Sequence, residues 1–301
     1  MFALGIAAGF GAALFSSLSY IASKSFINRY KSPYRLMMLA HVIMMVLAMI
    51  VLACLYGRYE LSFSLKSILL VLAAQSGFVT AQLALFLALH HVEASRYSSL
   101  LGLKILLLSL ICFIFMKQPL TLLQWIAVIL CTTAAVGMNY SGYRISWIAF
   151  IYLLFSLGGY ICSDICQVAY QNGTKADSVI IQCFASISFS YLVLGILTLP
   201  ALFFFKWKPR EILWAIPYSS FWFLSVLVLF FCFYEIGLVY GSVLQATRGL
   251  ISVILGALLV RFGFGKGHED ESTTKRDWIR RGVMAILMII AVGLYTYGKT
   301  H

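Results

Sequence analysis

Runs of about 20 apolar residues, separated by short charged connections, follow one another along nearly the whole chain. A helix needs about 20 apolar residues to cross the ~30 Å hydrocarbon core of a bilayer. The composition agrees, because 62% of the residues are hydrophobic and only 11% are charged, whereas a soluble domain carries roughly 25% charged residues. The runs also lack the polar and apolar alternation of barrel strands. The sequence therefore predicts an all-α integral membrane protein.

The spacing of these runs predicts ten transmembrane helices. The stretch from Met1 to Ser23 has no basic lead and no small-residue cleavage site, so we interpret it as a retained first helix and not as a signal peptide. The approximate bounds of the predicted helices are 3–23, 36–56, 67–89, 94–116, 119–140, 146–170, 179–204, 212–236, 238–260 and 280–297.

The basic residues predict an orientation in the membrane. The connections that follow odd-numbered helices carry 15 lysines and arginines, and the opposite side of the membrane carries 5. Because cytoplasmic connections are enriched in these residues, we expect a multi-pass protein of the inner (plasma) membrane with both termini outside.

A tag placed after His301 should then be reached by reagents that do not enter the cell, and a cytoplasmic tag would contradict this orientation.

The second half of the sequence repeats part of the first. One group of five residues recurs at a constant offset of 140, and a second group recurs at an offset of 144, in which Lys104 corresponds to Arg248. A unit of five helices begins and ends on opposite sides of the membrane, so the second copy must be inverted relative to the first. The first group pairs Phe15, Ser16, Tyr20, Ile21 and Ser23 with Phe155, Ser156, Tyr160, Ile161 and Ser163.

Two inverted repeats are typical of secondary carriers, which bind a substrate near the membrane midplane and expose it alternately to each side. We therefore expect a first five-helix repeat over residues 1–142 and a second over residues 143–301, with a polar insert at 262–277. A structural scaffold can also arise by duplication, so the repeat favours a carrier without establishing one.

Three parts of the chain carry a resemblance to a known family: residues 10–24 with 32–33, residues 85–99 followed by 116–137, and residues 234–259. They resemble the EamA-type branch of the drug/metabolite transporter superfamily, and the resemblance covers nearly the whole length. It implies a ten-helix carrier of small metabolites. The chain departs from the family's usual pattern at Lys104, where proline is common, and at Lys117, where an acidic residue often ends the helix. Bacterial members also usually keep their termini inside.

Two basic residues are expected at the middle of the membrane. Lys104 lies about ten residues, or ~15 Å, from either end of the fourth predicted helix, and Arg248 is its repeat mate on the ninth. Because buried charges are costly, such groups normally face a cavity or a partner. Our leading hypothesis is that the two cations bind an anionic substrate. The alternative is a fixed ion pair for each, with Asp164 as the main candidate partner and Glu235 or Glu93 nearer the helix ends.

Further polar side chains recur at helical spacing near these two cations. Gln245 and Ser252 lie on the ninth predicted helix, Tyr20 on the first, Tyr160 on the sixth and Gln82 on the third. Such groups often form hydrogen bonds between helices. Because several polar stripes occur together, we also consider a shared hydrated cavity and include these residues as candidates for substrate binding.

Asp164 is the only acidic residue well inside a predicted helix. Its repeat mate is Lys24, so the two halves differ in charge at equivalent points. A carboxyl group in a half-buried position can bind and release a proton during a transport cycle. Asp164 is therefore our candidate for the group that couples transport to protons.

Other classes of protein are disfavoured by what the sequence lacks. It offers no nucleophile with a base and an orienting group, no nucleotide loop and no paired catalytic carboxylates, so we expect neither enzyme activity nor a cofactor. Its seven cysteines lie in apolar runs and provide no metal-ligand set. The net charge of +12 comes from residues between helices and not from a basic domain, so we expect no nucleic-acid partner.

The sequence thus predicts a secondary-active transporter of a small anionic or phosphate-bearing metabolite. The resemblance supports this in one respect, since the plastid sugar-phosphate translocators of the same superfamily place basic residues on helices 4 and 9 around the phosphate, at positions that Lys104 and Arg248 would match. The alternatives are a carrier of amino acids or other zwitterions, and a flippase or accessory subunit for a lipid-linked intermediate. The expected partners are a small molecule and the lipid bilayer, with a homodimer left open.

Overall fold

The computed structural model describes residues 2–88, 100–117, 119–138, 146–204, 207–261 and 275–300. Almost all of these residues are helical. The two strands, β1 (Tyr59–Glu60) and β2 (Lys175–Ala176), pair in an antiparallel arrangement. The helices are α1 (Phe2–Tyr30), α2 (Pro33–Cys54), α3 (Leu65–Ala88), α4 (Leu103–Ile114), α5 (Leu122–Met138), α6 (Trp147–Asn172), α7 (Val179–Thr198), α8 (Pro209–Ile236), α9 (Leu238–Ala246), α10 (Arg248–Arg261) and α11 (Lys275–Thr300), with a 3-10 helix over Leu199–Phe204.

Seven helices in the described part of the chain are long and apolar enough to cross a membrane. The apolar helices α4 and α5 are shorter, with 12 and 17 residues. They occupy the fourth and fifth predicted positions, whose remaining residues lie partly outside the described ranges. The prediction of an all-α, multi-span membrane protein is confirmed.

The connection between α1 and α2 shows how local sequence sets the helix ends. α1 continues to Tyr30, beyond the predicted end at residue 23, because its last turns contain no residue that breaks a helix. The Ser32 side chain accepts a hydrogen bond from the Arg35 backbone N–H at 3.4 Å, and Pro33 occupies the first position of α2. A serine cap followed by proline is a strong start signal, so a new helix begins here.

The ninth predicted helix, 238–260, is not continuous. α9 ends at Ala246 and α10 begins at Arg248, with Thr247 between them. The Thr247 hydroxyl donates to the Leu244 carbonyl at 2.6 Å, and the Ser17 hydroxyl donates to the Arg248 carbonyl at 3.0 Å. Hydroxyl side chains compete with the backbone hydrogen bonds of a helix. The interruption therefore has a local cause that the apolar pattern does not reveal.

The remaining helix bounds differ from the predicted ones by a few residues. α11 begins at Lys275, so it overlaps the end of the predicted polar insert 262–277. Residues 262–274 of that insert, and the predicted repeat boundary between residues 142 and 143, lie outside the described part of the chain.

The helices pack in pairs that join the two predicted repeats. α1 packs along α8, and α3 packs along α6. These two pairs are equivalent in an inverted repeat, because α1 corresponds to α6 and α3 corresponds to α8. α2 packs on α7 and α5 on α11, which joins corresponding helices directly. Helices at corresponding positions of the two predicted repeats therefore make corresponding contacts.

Ion pairs connect the repeats at both ends of α2. Near its start, Arg35 Nη1 lies 2.7 Å from Glu211 Oε1, and the Glu211 side chain is 1% exposed. Just after its end, Arg58 Nε lies 3.4 Å from Asp177 Oδ2, with the side chains 59% and 62% exposed. Because the 22 residues of α2 rise by ~33 Å, the two pairs lie at opposite faces of the bundle.

α3 and α6 cross where one glycine faces another. A Cβ added at Gly159 would lie 2.6 Å from the Gly77 carbonyl oxygen, and a Cβ added at Gly77 would lie 2.8 Å from the Gly159 carbonyl oxygen. Small residues allow membrane helices to approach closely and to gain dispersion contacts. The close approach at this crossing therefore depends on the absence of a side chain on both helices.

We expect Gly159→Ala to destabilise the folded protein by about 1–3 kcal/mol, because the new methyl group would have to push apart two backbones. The neighbouring Gly158 provides a matched control, since a Cβ there meets nothing within 4 Å. Gly158→Ala should leave the melting temperature of the detergent-solubilised protein unchanged or slightly raised. Equal melting temperatures for the two variants would show that the crossing is not tightly packed.

Candidate functional site

A cavity of about 90 Å³ lies between the helices of both repeats. A cavity needs roughly 10–15 Å³ of such space for one water, so there is room for several waters or for a small polar group. The wall is formed by residues from α1, α3, α4, α6, α7, α8, α9 and α10. They are Tyr20, Gln75, Phe78, Leu101, Lys104, Tyr160, Ser163, Asp164, Gln167, Ile187, Tyr191, Trp222, Val226, Leu229, Phe230, Gln245 and Arg248.

Lys104 and Asp164 form an ion pair in the wall of the cavity. The distance from Lys104 Nζ to Asp164 Oδ2 is 2.6 Å, and the two side chains are 18% and 11% exposed. The same ammonium group lies 5.7 Å from the centre of the Tyr160 ring. The structure thus contains the Lys104–Asp164 pair that was the alternative to an anion site. Because the pair faces the cavity, both groups still border the space available to a substrate.

Arg248 is the second cation of the cavity. Its guanidinium carbon lies 5.6 Å from the centre of the Tyr20 ring, a distance at which a cation is attracted to the face of an aromatic ring. Among the described residues, no carboxylate lies within ion-pair distance of Arg248. Glu235, one of the predicted partners, also forms no ion pair within this part of the chain, and Glu93 lies outside it.

The two cations occupy equivalent places in the inverted repeats. Lys104 of the first half packs over Tyr160 of the second half, and Arg248 of the second half packs over Tyr20 of the first. The sequence offsets of 140 and 144 relate the same residues. The symmetry ends at Asp164, whose repeat mate is the exposed Lys24. Within the described ranges, Lys104 therefore has a carboxylate partner and Arg248 has none.

The charges of the cavity wall do not cancel. Its lining contains the two cations Lys104 and Arg248 but only one carboxylate, Asp164. One positive charge therefore remains at Arg248. At membrane depth such a charge is costly unless water or an anion compensates it. Arg248 is consequently the group of the described cavity wall that can accept a negative group of a ligand.

Aromatic side chains complete the wall. The Phe78 ring lies 6.1 Å from Tyr160, 6.2 Å from Tyr191 and 6.2 Å from Trp222, measured between ring centres. The Trp222 indole N–H donates to the Tyr191 hydroxyl at 3.2 Å. Phe78, Tyr191 and Trp222 are not predicted from the sequence, because aromatic residues in apolar runs carry no local signal that separates a cavity wall from a packed core. Gln75, Ser163 and Gln167 belong to polar stripes that such an analysis can find.

Five of the predicted binding residues line the cavity, together with Asp164, the predicted coupling residue. The five are Lys104, Arg248, Gln245, Tyr20 and Tyr160.

Two predicted binding residues are placed elsewhere. The side-chain oxygen of Gln82 lies 3.2 Å from His41 Nε2, in a buried contact between α3 and α2. Ser252 is half-buried on α10 and does not belong to the cavity wall.

A larger groove of about 570 Å³ runs along the outside of the α3–α6 crossing. It is wide open and is lined by small and apolar residues, including Gly77, Gly158 and Phe155. None of its lining residues is charged. A groove of this kind is expected on the lipid-facing side of two closely packed helices, and it offers no group that would recognise a polar substrate.

The fold and the cavity together define a polytopic helical membrane protein with a polar site between its two halves. The EamA-like transporter family matches this chain over residues 3–140. One solved crystal structure is similar over 99% of this chain and 98% of its own, with a TM-score of 0.71 and 14% sequence identity, which shows a shared fold. No curated protein matched the sequence.

Over residues 3–140 the chain thus matches the EamA-like transporter family, which is part of the drug/metabolite transporter superfamily. The resemblance found in the sequence is confirmed. The match indicates a drug/metabolite transporter, and the apolar helices agree with a multi-pass membrane protein.

We expect Lys104→Gln to destabilise the folded protein, because it would leave the carboxylate of Asp164 without its partner. Breaking a buried ion pair typically costs about 3–5 kcal/mol, and the low end applies here since both groups keep some exposure. The double variant Lys104→Gln/Asp164→Asn should recover most of the lost melting temperature. Arg58→Gln, in the exposed pair with Asp177, should change the melting temperature little. A stable Lys104→Gln protein would contradict a structural role for the pair.

Proposed function

We propose that this transporter is a secondary-active carrier that binds the negative group of a small metabolite at Arg248 in the central cavity. The observation that carries the proposal is the unequal charge of the cavity wall, in which Lys104 has a carboxylate partner and Arg248 has none among the described residues. The guanidinium group is planar and offers paired N–H donors, which suit carboxylate and phosphate oxygens.

The ion pair between Lys104 and Asp164 limits the number of negative charges that the cavity would neutralise on a substrate. With this pair intact, the cavity offers one free positive charge, which fits a single carboxylate or a singly charged phosphate group. A fully ionised phosphate would gain more if Lys104 left Asp164 and joined Arg248 around it. Lys104 is therefore included in the proposed site as the group that a second negative charge would recruit.

Alternating access is the proposed mechanism. The cavity is built from both inverted repeats, so a rocking motion of one half on the other would expose the same groups to opposite sides of the membrane. The proposed location is the inner (plasma) membrane with both termini outside.

Asp164 is the proposed coupling group, because its carboxylate lies in the cavity wall and pairs with Lys104. Transport by Asp164→Asn in proteoliposomes should then lose its dependence on pH, and an unchanged dependence would leave Asp164 with a structural role alone.

The second candidate function is transport of an amino acid or another zwitterion. It is favoured by the presence of both charges in one cavity, since Arg248 would bind the carboxylate while Asp164 would bind the ammonium group in place of Lys104.

A flippase for a lipid-linked intermediate would need an opening toward the lipid between helices. Uptake of water-soluble anions into proteoliposomes supports a carrier, and activity only with lipid-linked substrates would support the flippase.

The decisive test is a comparison of Arg248 variants with purified protein. Inorganic phosphate, glycerol 3-phosphate, glycerate and alanine are the probes, and each ligand of the folded state should raise the melting temperature. Arg248→Gln should weaken binding of the effective probe by about a hundredfold, because a charge-assisted contact with a desolvated cation is lost. Arg248→Lys should bind with intermediate strength, since it keeps the charge but loses the planar pair of donors.

Two controls make this result specific. Lys24→Gln removes an exposed cation from α1 and should leave binding unchanged, which separates a local site from the general positive charge of the protein. Arg248→Gln should itself stay folded, because no carboxylate among the described residues depends on it. Unchanged binding in Arg248→Gln would overturn the anion site. Binding of alanine alone, lost in both Arg248→Gln and Asp164→Asn, would favour the zwitterion carrier.

A further inference from the structure

Gln167 is an unusual member of the cavity wall. It lies on α6 three residues beyond Asp164, so both side chains are on the same face of the helix and both line the cavity. Its side chain is buried, with the residue 3% exposed. Neither its amide nitrogen nor its amide oxygen has a hydrogen-bond partner among the described residues.

Two other buried glutamines of the bundle, Gln171 and Gln82, are each bonded to the fold through one amide atom. One turn further along α6, the Gln171 amide nitrogen donates to the Phe230 carbonyl at 3.2 Å. On α3, the Gln82 amide oxygen is paired with His41. Buried polar groups in proteins are nearly always hydrogen-bonded, because an unpaired amide loses its bonds to water without compensation. The unpaired amide of Gln167 therefore calls for a partner that comes from the cavity.

Packing alone does not explain why an amide side chain occupies this position. Phe230, Leu229 and Ile187 line the same cavity, and a leucine or methionine would fill similar volume without an unpaired polar group. A carboxamide differs from them by offering N–H donors on one atom and an acceptor on the other. It is neutral, so it adds hydrogen-bond selectivity without changing the charge balance set by Arg248.

We propose that Gln167 is a specificity-determining residue, which recognises a neutral hydrogen-bonding group on the carried anion. This inference rests on the proposed function, in which Arg248 binds the negative group. The substrate class is then an anion that also bears adjacent hydroxyl groups or a carboxamide, because such groups accept from Gln167 Nε2 and donate to its Oε1. A simple alkyl carboxylate or alkyl phosphate would satisfy Arg248 but leave Gln167 unpaired.

Two matched pairs of probes test this selectivity. Glycerate and propionate differ in two hydroxyl groups, and glycerol 3-phosphate and n-propyl phosphate differ in the same way. The wild-type protein should bind the hydroxylated member of the effective pair at least about tenfold more tightly, as expected when a site built for hydrogen bonds rejects an analogue without them. Gln167→Met should reduce this preference to less than about threefold while retaining binding of the alkyl anion.

Gln171→Met is the matched control, since Gln171 is equally buried on the same helix but is bonded to the fold and does not line the cavity. It should lower the melting temperature and keep the wild-type preference. Gln167→Met should not lower the melting temperature, because it removes an unpaired buried amide. A melting temperature lowered as far as in Gln171→Met would show that Gln167 is bonded to the fold, and would overturn the inference.

The results separate the two proposals. If the probes bind and binding depends on Arg248, but Gln167→Met keeps the full preference for hydroxyl groups, then the role of Gln167 is overturned and the anion site stands. If the wild-type protein binds the alkyl and hydroxylated anions equally, the role of Gln167 is likewise overturned. If neither pair binds in an Arg248-dependent manner, the anion site is overturned and the inference falls with it.

Discussion

The cost of placing charge inside a membrane governs the centre of this protein. Lys104, Arg248 and Asp164 all lie in helices that are otherwise apolar, and each would be strongly unfavourable against lipid. The fold resolves this in three ways. Lys104 and Asp164 neutralise each other at 2.6 Å, tyrosine rings cover both cations, and all three groups border a common cavity. The assembled bundle therefore keeps these three charged groups away from lipid.

Lys104 and Arg248 correspond at an offset of 144 in the sequence but have different surroundings. Lys104 packs over Tyr160, and Arg248 packs over Tyr20. Among the described residues, only Lys104 has a carboxylate partner. A symmetric cavity with two free cations would suit a doubly charged ligand, whereas the observed one leaves a single free charge at Arg248. The two halves thus differ in charge at equivalent points, with an acidic residue at Asp164 and a basic one at Lys24.

The ion pairs at the two ends of α2 differ in burial, so they stabilise the two faces of the bundle to different extents. The pair of Arg35 with Glu211 is short and its carboxylate is buried, and Arg35 also donates to the Tyr30 carbonyl at 3.2 Å. Such a pair is strongly unfavourable to break because it strands a buried charge. The pair of Arg58 with Asp177 is longer and exposed, so it contributes little. Motion at the second face consequently meets a smaller electrostatic barrier than motion at the first.

Much of this protein is determined by its sequence alone. The lengths of the apolar runs require an all-α bundle, since lipid offers no partner for open backbone groups, and the offsets of 140 and 144 indicate the repeat. The rarity of charged residues at membrane depth likewise singles out Lys104, Arg248 and Asp164. Tertiary structure decided what these residues touch. The rotation and packing of distant helices decide whether Lys104 contacts a substrate or Asp164. They also decide whether Gln82 faces the cavity or His41, and whether an aromatic residue lines a cavity or a core. Periodicity within one helix carries no information about that rotation, because it records the polarity of a face and not the identity of its neighbour.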